Sequence, residues 1–217
     1  VSFIDILSQL GWGVSYTILV TFACSATGVV TGLVIAGLRS LAIPGLAYAL
    51  NAYAYVFRGV PVLVLLFLVY FGLPSIGIRI SPLLAMMCSL GLIAGAYLSE
   101  VFRGALASVD PAEILAAEAM GMSRLQIFRY IQFPQMMRFS VPGMVNEFTS
   151  VLKSSPFAYT VGIPEITKQA MALTATTLRG IEVYLAVGIL YFVIYRLFLF
   201  AVNQAEKRFR VPGMDPI

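Results

Sequence analysis

A chain of 217 residues that is 60% hydrophobic and 11% charged is not an ordinary soluble domain, in which about a quarter of the residues carry charge. It reads as an integral membrane protein, and basic residues flanking its apolar runs account for the net charge of +4 without a nucleic-acid surface. Histidine is absent, removing the commonest metal ligand and general base, and Cys24 and Cys88 each sit inside an apolar run, as small buried hydrophobes do.

The first apolar run covers about residues 14–38, enough for the ~20 residues that cross a bilayer with some tilt. Asp5 and the lack of a basic cluster before it argue against a cleaved leader, so this helix is expected to remain. Trp12 and Tyr16 suit one interface and Arg39 the other. Cys24, Gly28, Gly32 and Ala36 recur every four residues and predict a face where a second helix approaches closely. A less regular stretch with Pro44 and Asn51 comes next, then a second span at about 54–73 with Arg58 near its entry, and a short loop at 75–81. The third span, about 82–102, repeats the small-residue spacing at Gly91, Gly95 and Ser99. It ends in GAYLSEVFRG, where Glu100 and Arg103 lie three apart and pair at the interface; Glu100 is also a candidate for the solute path.

Residues 110–134, DPAEILAAEAMGMSRLQIFRYIQFP, are the longest polar interruption. Asp110 suits an N-cap, Pro111 the first helical position, and Glu113 a capping-box carboxylate; Gly121 then supplies the left-handed residue that ends a helix. Ser123 and Gln126 offer a second capping box, and Pro134 is expected to close the second helix. The product is helix, bend, helix, with Leu125, Ile127, Phe128 and Ile131 as an apolar set for a partner.

The fourth run, about 139–163, is chemically the oddest. At 100° per residue, Asn146, Glu147, Thr149, Ser150, Lys153 and Ser154 fall within about 160° of arc, while Phe148, Val151 and Leu152 fill the rest. Such a stripe faces a polar cavity or another helix, and ionisable groups within a span are candidate functional residues. Lys153 and a carboxylate holding helices together is the structural alternative. Ser155-Pro156 is expected to break the helix. Residues 162–180 read as a polar connection, and a fifth span at about 183–202 ends in the basic NQAEKRFR. With the N-terminus outside, Arg39, Arg58, Arg103, Arg124, Arg129, Arg138, Lys207, Arg208 and Arg210, nine of fourteen basic residues, fall on the cytoplasmic side. Only Arg79, Lys168 and Arg179 fall outside, so the 110–134 segment is expected in the cytoplasm.

These residues also carry a resemblance. Ala116-Ala117, Gly121 four residues later, and Ile131-Gln132-Phe133-Pro134 resemble the "EAA" loop of bacterial ATP-binding-cassette (ABC) importer permeases. FRGVPVLVLLFLVYFGLP, GAYLSEVFRG, GMSRLQIFRYIQFPQ, NEFTSVLKSS and VGIPEIT resemble the polar amino acid branch, over about residues 12–205. The resemblance implies an all-α, type I importer-like permease of the inner membrane, one transmembrane domain over 1–217 with five spans and a cytoplasmic coupling loop at 107–135. It further implies a second permease, with a heterodimer favoured, two ATPase subunits that bring ATP and Mg, and an external solute-binding protein. Glu113, Ala116, Ala117, Glu118, Gly121, Met122 and Ser123 are the implied ATPase-coupling residues. Two departures stand out: Leu115 occupies the position of the family's loop glutamate, and Ser154-Ser155-Pro156 stands where an Asp-Thr-Ser sequence is commoner.

The chain has no Walker loop, since Lys153-Ser154 lacks the upstream glycines, so any ATP chemistry belongs to partner subunits. A secondary carrier or channel subunit is the alternative, although no internal repeat of the kind common in carriers is visible. An intramembrane protease lacks a nucleophile and base pair, and a membrane assembly factor has no use for charges inside the fourth span.

Overall fold

The computed structural model of the chain describes residues 2–40 and 43–209, and among these it is helical with no strand. Arg210 lies outside the described residues, as do the side chains of Lys207 and Arg208. Helix α1 spans Phe3–Ser40, beginning well before the apolar run itself. The cause is a reciprocal cap: the Asp5 amide donates to Ser2 Oγ at 3.2 Å and the Ser2 amide donates to Asp5 Oδ2 at 2.7 Å.

The region of Pro44 is regular. Helix α2 runs Pro44–Gly59 because proline is preorganised for the first helical position, with Ile43 extended before it. The second expected span is broken instead. Pro61 forces Val60 out of the helical region, to φ −91° and ψ 128°, and the two helical stretches Gly45–Gly59 and Val62–Ile76 meet at 104°. The second stretch is α3, Val62–Phe67, prolonged by a π-helical turn at Leu68–Gly72 and a 3-10 turn at Leu73–Ile76. Ser81 caps α4, Pro82–Met86, which passes through a π-helical turn into α5, Leu92–Ala107.

Helices α6, Pro111–Ala119, and α7, Arg124–Ile127, form the bent pair. Pro134 does not close a helix as expected. A π-helical turn at Phe128–Gln132 leads into α8, Phe133–Ser154, whose start absorbs the proline where its missing N–H is least costly. At Ser155 the α-helix gives way to 3-10 turns over Ser155–Val161, where the break is expected. Residues 162–180 are not simply a connection, because they hold α9, Ile166–Thr177. Its signal lies in Ile166, Ala170 and Leu173, spaced at four and three residues and all buried. Helix α10 spans Gly180–Phe209.

Three helices among the described residues are long and apolar enough to cross a membrane: Phe3–Arg39, Pro82–Ala107 and Gly180–Val202. The bent pair makes a fourth if it counts as one span. Helix α8, the core of the remaining expected span, carries Arg138, Glu147 and Lys153.

The chain divides into two compact units, residues 1–19 with 158–217, and residues 20–157. In the first, Ile6 and Leu10 of α1 pack with Ala170 and Leu173 of α9 and with Val183 and Ala186 of α10. In the second, α5 is central. Gly28 and Gly32 of α1 lie against Ala94 and Leu98, Gly91 just before α5 and Gly95 within it lie against Thr27 and Thr31, and Gly143 of α8 lies against Val101. Inside a bilayer apolar burial gains little over lipid contact, so this close approach of small residues is what holds helices together. Leu98, Phe102, Ala105, Ala36 and Met136 complete that core.

Candidate functional site

The bend between α6 and α7 is built from caps. Asp110 Oδ1 accepts from the Ala112 amide at 2.8 Å, and at the far end Gly121 takes φ +80°. The Met122 amide donates to Ala117 O at 3.1 Å and the Gly121 amide to Glu118 O at 2.9 Å, a Schellman ending. Ser123 and Gln126 form the capping box that starts α7. Glu113 does not close a box on Asp110; its carboxylate accepts from the Gln135 side chain and ties α6 to the start of α8.

Of the expected coupling residues, Glu113, Ala116, Glu118, Gly121 and Ser123 are exposed, Met122 is half-buried and Ala117 is buried. The apolar set differs from expectation. Ile127 is buried and Phe128 and Ile131 are half-buried, whereas Leu115, Met120 and Leu125 are 65%, 82% and 74% exposed. Helical period explains this: α8 runs on from α7, so Ile127 and Ile131 lie on the core side and Leu125 does not.

On α8 the polar stripe is amphipathic in fact. Asn146, Ser150 and Lys153 are exposed, Glu147, Thr149 and Ser154 are half-buried, and Val151 and Leu152 are buried behind them. Thr149 Oγ1 donates to Val145 O at 2.9 Å, so its hydroxyl is turned to its own helix. Among the described residues neither Glu147 nor Lys153 has an ion-pair partner. They stand six residues apart, about 9 Å along the axis.

Glu100 is not in that situation. It accepts from Arg39 Nη1 at 2.6 Å and from Arg103 Nε at 2.8 Å, and Arg39 reaches on to Leu50 O at 3.5 Å. Both of its oxygens are committed, one clamping α5 to α1 through Arg39 and the other held by Arg103 of its own helix. The Arg103 pair is legible as an i, i+3 spacing, whereas nothing local marks the Arg39 pair.

A second polar centre lies where the sequence shows only a connection. Glu165 is completely buried at the start of α9, where its carboxylate accepts from the Thr167 and Lys168 amides, each at 2.8 Å, and from Tyr191 Oη at 3.0 Å. Nearby, Gln9, Trp12, Tyr16, Pro164 and Gln169 line an open cleft of about 470 Å³. The hint in the sequence is Pro164-Glu165 ahead of an apolar set at helical spacing.

Glu147 and Lys153, neither in an ion pair among the described residues, thus stand on one helix of a frame whose helices include three long and apolar enough to cross a membrane, in a chain that also carries a capped two-helix bend. The chain belongs to the family of binding-protein-dependent transport system inner membrane components, whose model matches residues 28–211. It is the permease subunit of an ABC importer. It is 34% identical over 199 residues to the probable amino-acid permease protein YxeN of Bacillus subtilis (strain 168), covering 90% of this chain and 89% of that one. It is 32% identical over 212 residues to the histidine/lysine/arginine/ornithine transport system permease protein HisQ of Escherichia coli (strain K12), covering 92% of each. Among solved structures, that of an amino acid ABC transporter with histidines matches 96% of this chain and 99% of its own, with 31% identity and a TM-score of 0.86. The inward-facing MetNI methionine ABC transporter shares the fold, with a TM-score of 0.78 at 21% identity over 95% of this chain and 99% of its own. Family membership sets aside the carrier and channel alternatives.

Proposed function

We propose that the chain carries a polar amino acid, or a solute resembling one, along the stripe of α8. The observation behind this is the presence of Glu147 and Lys153, neither in an ion pair among the described residues, flanked by Asn146 and Ser150 on an otherwise apolar frame. A zwitterionic solute needs a partner for its ammonium and another for its carboxylate once it leaves water, and an apolar path supplies neither. The amino-acid permeases among the relatives support the same solute class.

The chain crosses the membrane five times with its N-terminus outside and its C-terminus in the cytoplasm, and α6 and α7 form the coupling segment. The distribution of basic residues supports that orientation. Two ATPase subunits, binding ATP and Mg, close beneath the membrane; α6 and α7 ride on them, and α5 and α8 swing so that the stripe opens alternately to either side. An external binding protein delivers the solute, and a second permease, different from this one, completes the path. Leu115, exposed where the family has glutamate, makes this subunit's contact with its ATPase apolar at that point.

ATP-driven uptake of labelled amino acids into vesicles, with Asn146→Leu and Glu147→Met tested singly, decides the matter for the stripe. Full uptake with the complex intact refutes it. For the coupling segment, a tagged pull-down with residues 110–134 scrambled is expected to lose an ATPase and a second permease that the unaltered chain retains. Recovery of a lone chain in both cases refutes the assembly.

A further inference from the structure

We propose that Glu165 is a proton-operated latch, whose ionised carboxylate holds the start of α9 to α10 and whose protonation releases that hold. Three helices of one unit converge on it. The second and third N–H groups after the cap, on Thr167 and Lys168, donate to the carboxylate, Tyr191 of α10 donates to it as well, and the first, the Ile166 amide, donates to Thr17 Oγ1 of α1 at 3.3 Å. Helix α1 lies so close that a Cβ on Gly13 would stand 2.6 Å from the Ile166 backbone.

Among the described residues no cation pairs with this carboxylate. Lys168, the nearest in sequence, directs its Nζ to Gly162 O at 2.6 Å. Helix α1 has no charged residue between Asp5 and Arg39. On α10 the group facing Glu165 is Tyr191; Glu182 is exposed and pairs with Arg179, and Arg196 is exposed.

A carboxylate only accepts hydrogen bonds, and here its neighbours all donate. Protonation adds a donor among donors, so the acid can no longer serve all three as acceptor and the hold on α10 weakens. Burial pushes the carboxyl above the usual carboxylate range, against the opposing pull of the two amides and the Tyr191 hydroxyl. A carboxyl raised in the folded state binds its proton more tightly there than in the unfolded chain, so its contribution to stability grows as the pH falls through that raised value. The latch therefore opens within the folded protein, ahead of acid unfolding. The inference goes beyond the transport reading and does not depend on it, since a titration needs neither solute nor ATPase.

Trp12 reports on it directly. It is the single tryptophan of the chain, it precedes Gly13, and it lines the cleft with Pro164 and Gln169. The experiment is a titration of Trp12 emission in the full chain, purified in detergent, between about pH 8 and pH 4.5, bracketing the upper side of the ordinary glutamate value near 4.3. A reversible one-proton transition centred above that value is expected, lost in Glu165→Gln. In Tyr191→Phe the transition moves upward by about one pH unit, because one bond to the ionised form is gone. A flat trace in the unaltered chain, or the same transition in Glu165→Gln, overturns the latch. If circular dichroism at neutral pH shows Glu165→Gln unfolded, Tyr191→Phe decides, and an unmoved midpoint overturns it.

Discussion

Arg39 at the end of α1 and Glu100 in the last turns of α5 meet at 2.6 Å although 61 residues separate them. The pair is largely out of solvent, with Arg39 12% and Glu100 27% exposed. Glu100→Gln is expected to destabilise the fold by about 3 kcal/mol, because it leaves a buried guanidinium beside a neutral amide. Arg103, 60% exposed, is the weaker partner, and Arg103→Gln should cost less than about 1 kcal/mol. Replacing Arg39 and Glu100 together by leucine should cost less than Glu100→Gln alone. Thermal unfolding of the unaltered chain and these three variants in detergent gives the ranking.

The contact of α5 with α1 depends on hydrogen-sized side chains. A Cβ on Gly95 would lie 2.0 Å from Thr31 Oγ1, itself bonded to Thr27 O at 2.6 Å, whereas a Cβ on Gly104 of the same helix meets nothing within 4 Å. Gly95→Ala is therefore expected to destabilise by about 1–3 kcal/mol and Gly104→Ala to be neutral or slightly stabilising. Adding Thr31→Ala to Gly95→Ala should recover part of the loss. Unfolding midpoints of the single and double variants test this.

Gly121 takes φ +80° with open space where a side chain would go, so substitution there strains only the backbone. Gly121→Val should cost about 1–2 kcal/mol locally and leave overall helix content unchanged. If the bend docks the ATPase, the variant retains less ATPase in a pull-down at equal expression. Equal recovery would show that the angle between α6 and α7 does not matter for assembly.

Along the stripe, position separates exposed residues, which the proposed path would use, from residues whose side chains serve the helix. Lys153→Met removes an exposed charge and should lower amino-acid uptake about tenfold, the worth of one charge-assisted hydrogen bond. Thr149→Val should leave uptake within about twofold, because the Thr149 hydroxyl is already committed to Val145 O. Uptake assays at equal complex levels compare the two, and an equal loss in both would mean that the stripe acts through folding alone.

What the sequence by itself determined was most of what is set within a few residues of the chain, the Glu113 box and the helix end at Pro134 excepted. The caps at Asp110 and Ser123, the left-handed Gly121, the small-residue faces of α1 and α5, and the α8 stripe all come from spacing against a 3.6-residue period. Two further features are equally local: Ser2 with Asp5 starts α1 early, and Pro61 breaks the second span at 104°. Only the tertiary structure decided which polar groups are partnered. The spacing pairs Glu100 with Arg103 but does not show that Arg39 of another helix also holds it, nor that Glu147 has no ion pair among the described residues. Glu165 looks like a loop residue and is instead the buried junction of three helices. The reason is physical: a cap or a periodic face is fixed by the short-range geometry of the backbone, whereas a charge acquires its partner from whichever helix packing brings within about 3 Å, and no local rule encodes that distance.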